Sequence, residues 1–138
     1  MPVIRAAEAR RTTTPNAAMT TFASPTLGGA GQVLWRVDME PGRQGPPHAF
    51  ETEQIWTLLE GGATVDLDGE KIDLAAGDTV VMPADAPRQV SADARTGFTA
   101  VVTALPGGRA YNPDGVTADG ACGLAPRDDE RVPPPWTE

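Results

Sequence analysis

Cysteine occurs once in this chain, at Cys122, and a single thiol can form neither an intramolecular disulfide framework nor a Cys-rich metal centre. Cations are scarce as well: 11 Lys+Arg face 19 Asp+Glu, a formal net charge of −8. Binding along a nucleic-acid backbone needs clustered Lys and Arg that displace counterions, so no nucleic-acid partner is expected. Aromatic residues make up 5%, which confines any stacking role to a few positions. No stretch approaches the roughly 18 continuous apolar residues of a membrane span. The start, Met1-Pro2-Val3-Ile4-Arg5, lacks an apolar run of signal-peptide length. The expectation is a cytoplasmic protein with no membrane partner. No phosphate loop, nucleophile elbow or Cys-x-x-Cys pair occurs, and Gly28-Gly29-Ala30-Gly31 reads as a loop because no βαβ pattern surrounds it.

What is present fits one domain spanning residues 1–138, with 40% hydrophobic residues to build a core. Gly and Pro together account for 29 of the 138 residues, a density that interrupts long helices. Short alternating runs appear instead. Val33, Trp35, Val37 and Met39 alternate with Gln32, Leu34, Arg36 and Asp38, the pattern of a half-buried strand. A second run, Gln54 to Glu60, is closed by Gly61-Gly62. Ala63 to Leu67 then alternates up to Asp68-Gly69, a hairpin turn pair, and Lys71 to Leu74 resumes beyond it. Ala76-Gly77-Asp78 makes the next turn, followed by strands at Thr79 to Met82 and Gly97 to Leu105. Regularly spaced short strands of this kind predict an all-β sandwich or barrel, with a core at about 31–105.

The ends read differently. Residues 5–12 are good helix formers and predict a turn or two of helix. Residues 106–138 hold six prolines and five glycines in 33 positions, too many for regular structure. The arm nevertheless ends in Pro133-Pro134-Pro135-Trp136, and a large ring is expected to dock, on its own barrel or on a partner subunit.

From Gly42 to Val90 the spacing resembles a small single-domain cupin. The first cupin motif places a glycine five residues before His-x-His, then a glutamate, then a glycine; here Gly42 is followed by His48, Phe50, Gln54 and Gly61. The second motif runs glycine, five residues, Pro-x-Gly, two residues, His; here Gly77 leads to Pro83, Asp85 and Arg88. The resemblance implies a cupin-type jelly-roll β-barrel with loop-rich N- and C-terminal extensions, expected as a homodimer. It also implies a metal site built from two histidines, a glutamate and a third histidine. Those positions hold His48, Phe50, Gln54 and Arg88. Phe50 has no lone pair, Gln54 is a weak neutral ligand, and Arg88 is a fixed cation. No cofactor is expected, since first-row metals need roughly three or four N, O or S ligands.

A guanidinium in the metal's place must meet an anion or several acceptors. Glu51, Glu53, Asp85 or an anionic ligand could supply one. An Arg–Glu salt bridge plugging a retired site is the plain structural alternative. The preferred functional reading is a metal-independent cupin that binds a small polar or anionic organic molecule. It would catalyse isomerisation, cyclisation or elimination by proton transfer, as metal-free cupin sugar epimerases suggest by analogy of fold. His48, the one histidine, is the candidate acid/base and Arg88 the anion holder. Gln54, Phe50, Trp56 and Glu53 are candidate ligand-binding residues. Two alternatives stand beside it. One is a metal-dependent oxygenase or lyase in which His48 joins Gln54 or Glu53 on a divalent transition metal. The other is a non-catalytic small-molecule sensor or structural cupin. Cys122 receives no role, having no basic neighbour before Arg127.

Overall fold

The computed structural model describes residues 2–113 and 130–138; Cys122 lies outside them. Antiparallel strands dominate: β1 (Arg10–Thr13), β2 (Ala18–Ala23), β3 (Val33–Met39), β4 (Ala49–Phe50), β5 (Gln54–Leu67), β6 (Glu70–Ala75) and β7 (Thr79–Met82), then β8 (Arg88–Ala92), β9 (Phe98–Ala104), β10 (Ala110–Tyr111) and β11 (Arg131–Val132). In one layer, β1, β2, β3, β9, the first half of β5 and β7 lie side by side. In the other, the second half of β5 is flanked by β6 and β8. The fold is an all-β jelly roll.

Alternation decides which side chains fill the space between the layers. Along β3, Val33, Trp35, Val37 and Met39 are buried while Leu34 and Arg36 are exposed, as the period-two reading requires. Register carries the pattern sideways: Trp35 pairs with Val102, Val102 with Trp56, and Trp56 with Val80. One apolar row thus crosses four strands. The Asp68-Gly69 turn forms as expected, with positive φ at both residues (51° and 83°), the geometry of a type I′ hairpin.

Three expectations are corrected. Gly61-Gly62 does not close a strand; β5 runs through it, with a register shift against β9 between Leu58 and Glu60. A Cβ at Gly61, whose φ is 76°, would collide with the Gly97 carbonyl, so these glycines let two backbones touch where β5 bends from one layer to the other. The N-terminal residues give one 3-10 turn, Ala6–Glu8, and then β1, which extends the sheet well before residue 31. Pairing with β2 outweighs the intrinsic preference of Arg10 and Arg11 for helix. The C-terminal arm also contributes short strands: β10 bridges β4 and β11, and a 3-10 turn spans Pro135–Thr137.

Candidate functional site

A cavity of about 110 Å³, open on one side, lies between the layers of the jelly roll. Its apolar wall includes Met19, Trp35, Val37, Met39, Phe50 and Trp56, and its polar groups include His48, Gln54 and Arg88. Val132, Pro134 and Trp136 of the C-terminal arm complete the lining. Trp136 therefore packs on its own barrel, and the Thr21 hydroxyl donates to its carbonyl at 2.6 Å.

Arg88 begins β8, and only 2% of the residue is exposed. Its Nε donates to the Ala86 carbonyl at 3.2 Å and its Nη2 to the Pro83 carbonyl at 2.9 Å. The Phe50 ring lies 5.3 Å from its Cζ. Nη1 is buried with no hydrogen-bond partner among the described residues. The internal salt bridge considered for Arg88 does not form: among the described residues its side chain has no ion pair. Glu51 is bound by Arg109 at 2.8 Å and Arg131 at 2.8 Å, and these bonds hold its carboxyl down at about 2. Asp85 accepts the Tyr111 hydroxyl at 2.7 Å. Burial lowers the Arg88 pKa to about 10 against the opposing pull of Tyr111 and Asp85, so it stays cationic at neutral pH.

His48 is half-buried on the same wall. Its Nδ1 lies 2.7 Å from the Pro46 carbonyl, an acceptor only, so Nδ1 carries the proton and Nε2 keeps a lone pair. Burial pushes the imidazole down to about 4, with Arg88 adding to the shift, and the ring is neutral at pH 7. Phe50 packs edge-on against it, ring centroids 4.7 Å apart.

Gln54 opens β5 facing inward, 2% exposed. Its Oε1 accepts the Trp56 indole N–H at 3.0 Å, and because indole only donates, the assignment of the amide is fixed. The amide NH2 has no partner among the described residues. Glu53, next to Gln54, is exposed and does not line the cavity. Opposite orientation of neighbouring residues in extended chain explains why one enters and the other does not.

These donors do not fit a divalent metal. Of the four positions, Phe50 and Arg88 cannot ligate, the Gln54 carbonyl is engaged by Trp56, and one imidazole nitrogen remains. Among the described residues no group of three or more His, Cys, Asp or Glu converges. Sequence reasoning missed Met19, Met39 and Trp35 as cavity lining, although the β3 alternation already turned Trp35 and Met39 inward. It also missed the Tyr111–Asp85 contact, which joins residues 26 apart in sequence and has no local signature.

Among solved structures, the chain resembles KdgF from Halomonas sp., with a TM-score of 0.64 and 21% identity over 78% of this chain and 96% of that one. The polyketide cyclase RemF from Streptomyces resistomycificus gives a TM-score of 0.68 at 18% identity, over 86% of this chain and 88% of the other. A Streptomyces nucleoside dehydratase gives 0.62 at 16% identity, over 77% and 82%. At such identities the likeness is one of fold. Comparison with curated proteins gave no match. The Cupin domain family model matches residues 35–103, half of the chain, from Trp35 on β3 to Thr103 on β9. With that match and the jelly-roll architecture, this chain belongs to the cupin superfamily.

Proposed function

We propose that the protein binds a small organic anion in its barrel, holds it with Arg88, and uses His48 to move a proton on it without a metal. The observation that carries this is Arg88, a buried cation with an unpartnered Nη1 and no ion pair among the described residues, which lines the same cavity as His48. An unpaired buried guanidinium N–H is costly, and a ligand oxygen would relieve that cost. The chemistry follows from the protonation states. A carbonyl oxygen at Arg88 acidifies the adjacent C–H, and the Nε2 lone pair of His48 takes that proton. The electron pair moves onto the oxygen as an enolate, which Arg88 stabilises. Return of the proton at another carbon completes an isomerisation. Expulsion of a β-leaving group, protonated by the His48 imidazolium, completes an elimination. The Gln54 NH2 supplies a second donor to fix the oxygen's orientation.

Two of the structural relatives, a cyclase and a dehydratase, belong to this reaction range. A sealed structural barrel is disfavoured by the cavity itself. A metal-dependent oxygenase or lyase is disfavoured by the ligating poverty of Phe50, Gln54 and Arg88. The test is proton exchange: NMR of enolisable ketones and keto acids in D2O with the wild type and with His48→Gln. Catalysed α-deuteration that His48→Gln loses at least a hundredfold supports the proposal. Equal deuteration by the two proteins removes it.

A further inference from the structure

The residues around Arg88 narrow the ligand class. This step rests on the proposed role of Arg88 as anion holder. We infer that the cavity takes an apolar monoanion built on a single ring, with one carboxylate or enolate group, and rejects polyhydroxylated sugar acids of the same size and charge.

The polar supply of the cavity is small and already largely committed. Arg88 Nε and Nη2 are satisfied by backbone carbonyls, Gln54 Oε1 by Trp56, and His48 Nδ1 by Pro46. Thr14 Oγ1 caps its own turn, accepting from the Asn16 and Ala17 amides. Chief among the lining groups left open are the Gln54 NH2 and His48 Nε2, with the unpartnered Arg88 Nη1 buried on a residue of the same lining. Asn16 is a further polar residue of the lining, shared with the neighbouring groove beside Thr13 and Pro15. Arg88 and the Gln54 NH2, both on the lining, offer donors to the oxygens of one anionic group. Beyond that group the ligand meets Met19, Trp35, Val37, Met39, Trp56 and Val90. Most sugar hydroxyls placed against those side chains would lose their water and gain no partner, since only the indole N–H of Trp35 could answer one. A hydrocarbon ring placed there loses nothing and gains contact.

Size points the same way. The cavity measures about 110 Å³, against roughly 150 Å³ for an enclosed apolar cavity that binds benzene. One ring reaching toward the mouth fits. All three tryptophans of the chain, Trp35, Trp56 and Trp136, line this one space, so its occupant acts on the whole indole fluorescence of the protein.

The experiment uses the full chain, with benzoate and glucuronate as probes, calorimetry for affinity and tryptophan fluorescence for location. Benzoate is expected to bind saturably, to change the fluorescence, and to bind at least tenfold more tightly than glucuronate. Arg88→Gln should weaken benzoate at least tenfold. Gln54→Leu, which leaves Arg88 in place, should weaken it severalfold. Circular dichroism verifies that each variant is folded, and Gln54→Leu reads the donor pair even where Arg88→Gln fails to fold. Glucuronate bound as tightly as benzoate, and dependent on Arg88, overturns the apolar class while leaving the anion holder standing. Benzoate bound equally well by folded Arg88→Gln overturns the anion holder itself. Binding of neither probe at millimolar concentration overturns both.

Discussion

His48 and Arg88 face each other as an antiparallel pair and exchange both backbone hydrogen bonds, His48 N–H to the Arg88 carbonyl at 3.0 Å and Arg88 N–H to the His48 carbonyl at 2.9 Å. Directly opposed residues in such a pair project their side chains to the same face of the sheet. An imidazole and a guanidinium are thereby fixed on one wall by backbone geometry, independent of any attraction between them. Their charges would repel if both were protonated, and burial keeps the imidazole neutral.

Arg88 is expected to cost stability in the free protein. Its Nη1 is buried without a partner and no carboxylate pairs with it among the described residues. Arg88→Met should therefore leave the stability of the free protein unchanged or raise it by up to about 2 kcal/mol, with the thermal midpoint unchanged or higher. A guanidinium serving as a structural plug would instead lose roughly 3 kcal/mol or more on replacement. Differential scanning fluorimetry distinguishes the two. Benzoate should raise the midpoint of the wild type and leave that of the variant unmoved.

Acid should destabilise the protein through His48 at a higher pH than carboxylates alone would allow. The folded imidazole titrates at about 4 against 6.5 unfolded, so between these values the unfolded chain binds the extra proton. Stability is full above pH 6.5 and falls as pH drops toward 4, by about 3 kcal/mol in all. Urea midpoints measured across this range should show the slope, and His48→Gln should flatten it. A bound anion beside Arg88 should raise the imidazole pKa, visible as a shift of its NMR titration.

Glu51 answers a different pH window. Its carboxyl, held at about 2 by Arg109 and Arg131 rather than at its ordinary 4.5, contributes nothing to the His48 slope. Its contribution is present above pH 4.5 and is lost as pH falls toward 2. It ties β4 to Arg109 and to β11, on the arm that lines the cavity. Glu51→Gln should speed amide exchange at Ala110 and Val132 while leaving β3 and β9 protected.

Trp136→Ala should cost about 2 kcal/mol, less than a fully buried tryptophan because the ring is only half-buried. Chemical denaturation measures it. The same change opens the cavity on the side of Val132 and Pro134, so ligand release should quicken more than association. An unchanged denaturation midpoint would mean that the arm does not dock on its own barrel.

Gly61→Ala is the severe backbone change. A methyl there meets the Gly97 carbonyl at a positive φ, and the loss should exceed about 3 kcal/mol, seen as poor folding at growth temperature. Gly29→Ala, at a positive φ with open space around it, should cost only about 1 kcal/mol.

Much of this architecture was legible in the chain. The alternation at β3, the Asp68-Gly69 turn and the strand Thr79–Met82 are local patterns, and they form at the positions read from them. β8 was not read as a strand, because Arg88 and Gln89 follow a proline-rich turn and carry no apolar run. β1 was missed for a related reason: Arg10 to Thr13 becomes a strand only by pairing with β2. The Gly61-Gly62 break was misread because a glycine pair looks alike in a turn and in a bend that lets two backbones touch.

Residue types alone decide which of the four positions cannot ligate. Phe50 and Arg88 stand where ligands would, and no packing converts a phenyl ring or a guanidinium into a metal donor. Which group answers the charge of Arg88 was a question only three-dimensional proximity could decide. Glu51 was claimed by Arg109 and Arg131, Asp85 by Tyr111, and Glu53 was turned to solvent. Those contacts join residues far apart in sequence, and they depend on how the layers and the C-terminal arm close around one another. That closure left one guanidinium nitrogen of Arg88 without a partner among the described residues.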